Sequence, residues 1–328
     1  MMKKKVALII DNDHFIKHKI PVWKEKFDLK IFNPPRPPLE IKSPMDILRV
    51  IQHKLRMRRE LPKLAKWADV IFCEWASHFL RWLSSRDYEA KLACRLHRYE
   101  LWGHYDEIDW KKVNLVLFVS EAMEKRFLEK GEFGGKTFVT YDNIEFDDFP
   151  LKKYKETKRI GILGSVIERK GALKLIEMLH KANLPEIKLV IAGNTKDKEY
   201  VKKITDYISK NNLKDQITIE GFVKDINEWY TSIDCIISNS EHEGAQTSLI
   251  EGVSTGCWAI SSNWDGAREV VHEKGIFEDE SQFKKCLERF YGWDLEKKNA
   301  MIKEARDIMI QKLSSRPQMH EIISEFED

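Results

Sequence analysis

The feature that most constrains this 328-residue chain is a recurring unit: a short apolar run rich in β-branched residues, then turn formers, then apolar residues at helical spacing. Runs of this kind in the first half are KVALII (5–10), DLKIF (28–32), DVIFCEW (69–75), LACRLH (92–97), NLVLFVS (114–120) and TFVTY (137–141). The second half repeats the plan with RIGILGS (159–165), KLVIAGN (188–194), ITIEGF (217–222), CIISNS (235–240) and WAISS (258–262). Strands that are apolar on both faces and separated by helical patterns predict parallel sheets covered by helices, an α/β fold.

A chain of this length suits two domains rather than one core. The charged, patternless EFDDFPLKKYKETK (145–158) reads as the linker, which divides the chain into residues 1–150 and 151–328. The expectation is two Rossmann-like domains facing each other across a cleft, where chemistry would take place, with room for a C-terminal helix that crosses back to the first domain. Hydrophobic content of 42% beside 33% charged residues is globular, and a net charge of +3 is too small to argue for nucleic acid. The five cysteines contain no C-x-x-C pair, which argues against a zinc site and for a reducing, cytoplasmic setting. The apolar stretch of MMKKKVALIIDND is too short for a signal peptide and reads as a first strand, and no stretch is long enough to span a membrane.

Candidate chemistry concentrates in EHEGAQTSLIEG (241–252), which places Glu243 and Glu251 eight positions apart between a strand and a helix that stops at Gly256. A loop at the carboxyl end of a parallel strand is where ligands bind in such sheets. Amides at a helix start have no internal partner and sit at the positive end of the dipole, so Gly244, Ala245, Gln246, Thr247 and Ser248 could hold a phosphate. Glu251 would lie about two turns into that helix. The same letters also admit a capping box, Ser248 to Glu251, in which the glutamate only closes its own helix. Lys170, at the start of the helix GALKLIEMLHKA, opposes the dipole there unless an anion is bound.

Residues 33–44, NPPRPPLEIKSP, read as an exposed loop. The helix that follows, over 45–67, lies in a stretch (41–70) with eight Lys or Arg against three Asp or Glu. Its cationic face, with Arg56, Arg58, Arg59 and Lys63, could rest on an anionic membrane surface, and the same pattern is that of a solvated helix.

Taken in order, these motifs resemble the GT-B glycosyltransferases, in particular retaining family 4. The resemblance is dense from Gly161 to about Val271 and thinner from Arg95 to Phe149. SNSEHEGAQTSLIEGVSTGCWAIS is similar to that family's E-x7-E segment, EGFVKDINEWYTSIDCIISNS to its nucleotide-contacting strand, a short helix and the strand feeding that segment, GILGSVIERKG to its first donor-domain strand and loop, and RLHRYE and LFVSEAMEKRF to acceptor-domain stretches. The resemblance implies a nucleoside-diphosphate sugar, UDP- or GDP-linked, as donor. Glu251 would then accept the ribose hydroxyls, the amides of 244–248 would hold the diphosphate, and Glu243 would lie on the sugar. Lys170 and Arg169 would meet the phosphates. Phe222 and Val223 would contact the nucleotide, and His97 would approach the donor sugar.

Two departures stand out. Ser165 occupies a position where the family usually has arginine, and DNDHFIKHKIPVW, after the first strand, has no glycine, leaving Asp11, Asn12 and His14 to meet a polar acceptor. The resemblance implies metal-independent hexosyl transfer with retention to a glycan, lipid-linked or other hydroxyl acceptor, in surface polysaccharide or glycoconjugate synthesis. No cofactor and no metal ligand are expected, and nucleic acid is not an expected partner. The location read is cytoplasmic, with a peripheral place at the inner membrane face through residues 45–67. A sugar-nucleotide 2-epimerase, or a sugar- or nucleic-acid-binding protein on the same scaffold, are the alternatives.

Overall fold

The structure is a computed structural model that describes residues 3–38, 40–141 and 144–326. The chain forms two compact units, Met1–Asn143 with Arg316–Asp328, and Ile144–Ser315.

In the first unit β1 (Lys5–Ile10), α1 (Ile20–Lys26), β2 (Asp28–Phe32), α2 (Pro44–Trp67), β3 (Val70–Glu74) and α3 (His78–Ser84) precede β4 (Lys91–Leu96), α4 (Arg98–Gly103), β5 (Leu115–Phe118), α5 (Glu121–Leu128) and β6 (Lys136–Val139). The six strands are parallel in the order β2-β1-β3-β4-β5-β6. The second unit contains β7 (Arg159–Leu163), α6 (Ala172–Ala182), β8 (Lys188–Ala192), α7 (Lys198–Lys210), β9 (Ile217–Gly221), α8 (Ile226–Thr231), β10 (Cys235–Ser238) and α9 (Thr247–Thr255). It continues with β11 (Trp258–Ser262), α10 (Ala267–Val270), β12 (Ile276–Phe277), α11 (Glu280–Gly292) and α12 (Leu295–Ser314). Its sheet, also parallel, runs β12-β11-β10-β7-β8-β9.

All eleven strands expected from the apolar runs are present. Only β12 lacks a sequence signal, because two residues are too short to show periodicity. Helix starts follow local chemistry: Ser43, Ser120, Asp197, Asp225, Asp279 and Asp294 each accept a first-turn backbone N–H through their side chains. Gly256 ends α9 with φ of 95°, as its position suggested.

Two boundaries differ from the reading of the sequence. Residues 145–158 are no free linker: Lys152 Nζ donates to the Tyr230 carbonyl at 2.8 Å, Tyr154 is buried in the core of the second unit, and Thr157 and Lys158 donate their backbone N–H to Asp234 at 2.9 and 2.7 Å. The stretch is docked by one inward lysine, Lys152, by the Tyr154 ring and by backbone N–H groups, while Glu145, Asp147, Asp148, Lys153, Lys155 and Glu156 stay exposed. The chain's last described helix, α13 (Met319–Glu325), belongs to the first unit, the return for which the sequence reading leaves room, so the second unit ends at Ser315 and not at 328. Met319, Ile322, Ile323 and Phe326 join Val6, Leu8, Trp23 and Phe72 in one core, and Lys4 Nζ donates to the carbonyls of Ile323, Ser324 and Phe326 at 2.8–3.1 Å.

Both sheets contain a point where consecutive connections leave in opposite directions, between β1 and β3 and between β7 and β10. Crevices at the carboxyl ends of strands at such points are where open α/β sheets bind ligands.

Candidate active site

The loops that follow β7 and β10 are tied together at the second unit's switch point. Gly171 is the N-cap of α6 with φ of 65°, and a Cβ there would stand 2.2 Å from the Asn239 carbonyl oxygen. Glycine is therefore needed for the approach as well as for the dihedral. Asn239 Nδ2 donates to the Gly171 carbonyl at 3.0 Å, and the Glu241 N–H donates to the Arg169 carbonyl at 3.0 Å.

This lacing brings Lys170 Nζ onto Glu243 Oε1 as an ion pair, with Arg169 Nη1 3.2 Å from the same oxygen. Arg169 also donates to the His242 carbonyl at 2.7 Å. Burial of Glu243 opposes its charge, yet Lys170 and Arg169 together hold the carboxyl below the usual carboxylate range. Lys170 does not open α6, although its place in the sequence suggests so. It instead closes a 3-10 turn, Glu168–Lys170, just before Gly171, and its partner is a carboxylate 73 residues away. Arg169 and Lys170 are both half-buried, whereas Ser165 is exposed.

The helix α9 begins at Thr247 with Gln246 as its N-cap. The amides of Thr247 and Ser248 are its first two and have no carbonyl a turn behind them within the helix, while Leu249 N–H reaches the Gln246 carbonyl at 3.0 Å. The Gln246 side chain points inward, accepting from Ser238 Oγ at 2.5 Å and donating to Ser248 Oγ at 3.3 Å. Gly244 is buried, and Ala245 and Thr247 are half-buried.

Glu251 lies about one turn into α9 rather than two. It does not close a capping box with Ser248, because Ser248 is already the second helical residue. Its Oε2 accepts the Tyr230 hydroxyl at 2.7 Å, and Tyr230 Oη also donates to the Ser248 carbonyl at 3.1 Å. Burial raises the Glu251 carboxyl, against the lowering effect of that tyrosine bond. Tyr230 had no signal in the sequence beyond an apolar position. Phe222, after β9, is 81% exposed, and Val223 beside it is half-buried.

His97 belongs to the first unit, where it caps α4 and forms a capping box with Glu100. Its ring stacks on Trp75 with centroids 3.9 Å apart and on Phe15 at 5.4 Å. Nε2 lies 3.4 Å from Glu74 Oε1, which also takes Arg95 Nε at 3.0 Å. Burial lowers the His97 pKa, although Glu74 acts in the opposite sense, so the ring is neutral near pH 7. With a carboxylate facing Nε2, that nitrogen carries the proton. Trp75 has φ of 80°, an uncommon conformation for a tryptophan, and its Nε1 donates to the Asn12 carbonyl at 3.0 Å. Asn12 Oδ1 accepts the His14 N–H at 3.0 Å, so a side-chain turn organises the loop that lacks glycine. Glu74, Arg95 and Trp75 were not singled out in the sequence, because nothing in their spacing distinguishes them from strand residues.

Among the described residues no group of three or more His, Cys, Asp or Glu side chains converges as metal ligands, and no helix is long and apolar enough to cross a membrane. All five cysteines are buried and unpaired.

A parallel sheet with cations gathered at its switch point, ahead of a helix start and a buried carboxylate, belongs here to an α/β protein whose fold is that of the GT-B glycosyltransferases. The sequence profile of the family described as Glycosyl transferases group 1 matches residues 143–308, just over half of the chain, and the chain belongs to that family. It is 29% identical over 185 residues to the poly(glycerol-phosphate) alpha-glucosyltransferase of Bacillus subtilis, covering 53% of this chain and 27% of that protein. It is 27% identical over 158 residues to the capsular polysaccharide biosynthesis glycosyltransferase CapH of Staphylococcus aureus, covering 47% and 44%. The chain therefore spans less than half the length of these curated relatives. Anabaena HepE, solved in complex with UDP and glucose, superimposes with a TM-score of 0.69 at 16% identity, covering 99% of this chain and 100% of that one.

Proposed function

We propose that this chain is a glycosyltransferase that moves a hexose from a nucleoside-diphosphate sugar to a hydroxyl of a glycan or lipid-linked acceptor, with retention, in surface polysaccharide or glycoconjugate synthesis. The observation that carries the reading is the convergence of Lys170 and Arg169 on Glu243 directly ahead of the α9 start. Two cations on one carboxylate leave positive charge for a diphosphate, and the amides of Thr247 and Ser248 add donors at the positive end of the dipole.

In this reading Lys170 and Arg169 stabilise the charge that develops on the leaving diphosphate, without a divalent ion. Glu243, held ionised by those cations, accepts hydrogen bonds from the donor sugar and fixes its pose. Glu251, oriented by Tyr230, accepts the ribose diol. Phe222 and Val223 flank the nucleotide. Retention follows from front-face attack by the acceptor hydroxyl through an ion-pair-like transition state: the C1–O bond to the diphosphate breaks, the new C1–O bond forms on the same face, and the hydroxyl proton passes to the departing diphosphate oxygen, with no bond formed to Glu243. His97 is retained as a neutral ring whose tautomer Glu74 sets, and Asp11, Asn12 and His14 are assigned to the acceptor. A lipid-linked acceptor would bring the protein to an anionic membrane face through α2.

The relatives named for glucosyl transfer and capsule synthesis, and the neighbour solved with UDP, make uridine donors the first to test. Thermal unfolding is measured with UDP, GDP, ADP, TDP and their sugars, because a ligand that binds only the folded state raises the midpoint. A shift with one nucleotide and its sugar supports the reading. No shift with any of them at millimolar concentration refutes the donor assignment.

A further inference from the structure

The first half of α2 leaves an apolar stripe uncovered. Ile47, Leu48, Ile51 and Leu55, at i, i+1, i+4 and i+8, share one side of the helix and are 46–60% exposed, whereas His53, Met57, Leu61 and Ala65 are buried on the other. Adjacent to the stripe, Arg49, Gln52 and Arg56 line a cavity of about 550 Å³ that is open to solvent on one side and bounded on another by Pro34, Pro35, Arg36 and Pro38. His53 forms part of its wall and is held by the Pro35 carbonyl at 3.2 Å.

Every charged residue lining this cavity is an arginine. Arg36 reaches Asp11 through Nε, at 2.7 Å to the carbonyl and 3.3 Å to the carboxylate. Arg49 reaches Asp46 through Nη1 at 3.3 Å, and Arg56 reaches Glu60 through Nε at 3.2 Å. A guanidinium has five N–H donors, so each keeps several for an incoming group. Three planar forks around one cavity suit an anion with several acceptor oxygens, which is a phosphate. The cationic face expected at Arg56, Arg58, Arg59 and Lys63 is weakened in its middle, because Arg56 and Arg59 share Glu60. Arg36, supplied by the proline-rich loop, joins Arg49 and Arg56 in its place.

Exposed apolar side chains bordered by basic ones mark helices that lie in a membrane interface. We propose that this face docks on an anionic bilayer, with Ile47, Leu48, Ile51 and Leu55 entering the acyl boundary and the Arg36–Arg49–Arg56 cavity holding the phosphate of a phospholipid headgroup. The inference rests on the peripheral contact proposed above and is independent of the donor chemistry.

The test is flotation of the full chain at low salt with vesicles of phosphatidylcholine alone, or of equal parts phosphatidylcholine and phosphatidylglycerol. The wild type should float with the anionic vesicles only. Arg49→Gln with Arg56→Gln should lower partitioning about fivefold per residue, and Ile51→Ser with Leu55→Ser by more than tenfold. Arg36→Gln, outside the helix, should act like either helical arginine. All four helical sites are exposed, so melting curves should match the wild type. Wild-type protein that stays at the bottom of the gradient overturns the proposal. Arginine variants that float like the wild type overturn the headgroup cavity, and apolar variants that do so overturn insertion. Nucleotide titration on the same variants keeps the readings apart: the variants should bind UDP, GDP, ADP and TDP as the wild type does, and a wild type that floats without binding any of the four would refute the donor site alone.

Discussion

Lys170 and Glu243 stand 73 residues apart in sequence and form an ion pair, with Arg169 3.2 Å from the same carboxylate oxygen. The pair exists because the loops after β7 and β10 are bonded to each other through Gly171, Asn239, Arg169 and Glu241. Lys170→Met should weaken UDP or GDP binding roughly tenfold or more, the size of a lost charge-assisted bond. Calorimetric titration checks this, and unchanged affinity would remove Lys170 from the phosphate site.

Glu251→Gln and Glu243→Gln should separate kinetically. The ribose is common to donor and product, so the Glu251 change should weaken binding of the free nucleotide. The Glu243 change should mainly lower kcat, since that carboxylate is assigned to the sugar. Tyr230→Phe, which removes the hydroxyl that orients Glu251, should give a milder version of the Glu251 effect. Equal nucleotide affinity in Glu251→Gln and parent would end the ribose assignment.

Gly171→Ala tests the lacing itself. The added methyl would meet a backbone carbonyl at 2.2 Å in a left-handed conformation, so a loss of about 2 kcal/mol or more is expected. Denaturant melts measure the stability. Nucleotide affinity should fall in protein that remains folded, because the two loops must part. A variant with parental stability and affinity would show the close approach to be dispensable.

Glu100 gives a pH signature. Burial raises its carboxyl to about 8, with Glu74 and Asp11 adding to the rise, and its Oε1 has no hydrogen-bond partner. Between the ordinary carboxylate range and pH 8 the unfolded chain loses this proton while the folded chain keeps it. Stability from this group therefore declines as pH rises through that window, by about 1.4 kcal/mol per unit, and levels off above it. Glu100→Gln keeps an oxygen for the His97 N–H and should flatten that part of the stability curve. A curve with the parental slope would show that Glu100 is ionised in the fold.

Turnover should survive EDTA. Lys170 and Arg169 supply the charge that a divalent ion would otherwise bring to the diphosphate. Activity lost on chelation and restored by Mg²⁺ or Mn²⁺ would refute metal-free transfer.

Strands were legible because runs such as NLVLFVS and CIISNS are apolar on both faces, a pattern few other environments tolerate. Glu243 and Glu251 were legible as candidates by their spacing across a strand-to-helix loop, and Lys170 as a cation close to a helix start. Their contacts were not. Lys170 on Glu243 and Tyr230 on Glu251 depend on which strands become neighbours, and adjacency of β7 and β10 has no local signal. The docked segment 145–158 is illegible for a related reason: most of its charges are exposed, and what fixes it is Lys152 on the Tyr230 carbonyl and the backbone N–H groups of Thr157 and Lys158 on Asp234, partners 76 to 78 residues away.

The return of α13 to the first sheet has a consequence for synthesis. The second unit, Ile144–Ser315, is continuous in sequence and has all its strands once residue 277 is made. The first unit is interrupted: its core includes Met319, Ile322, Ile323 and Phe326, which the ribosome adds only after the whole second unit has been synthesised. Domains ordinarily mature in the order they are translated. Here the order is inverted, and the half made first must wait with the apolar bed for α13, around Trp23 and Phe72, uncovered.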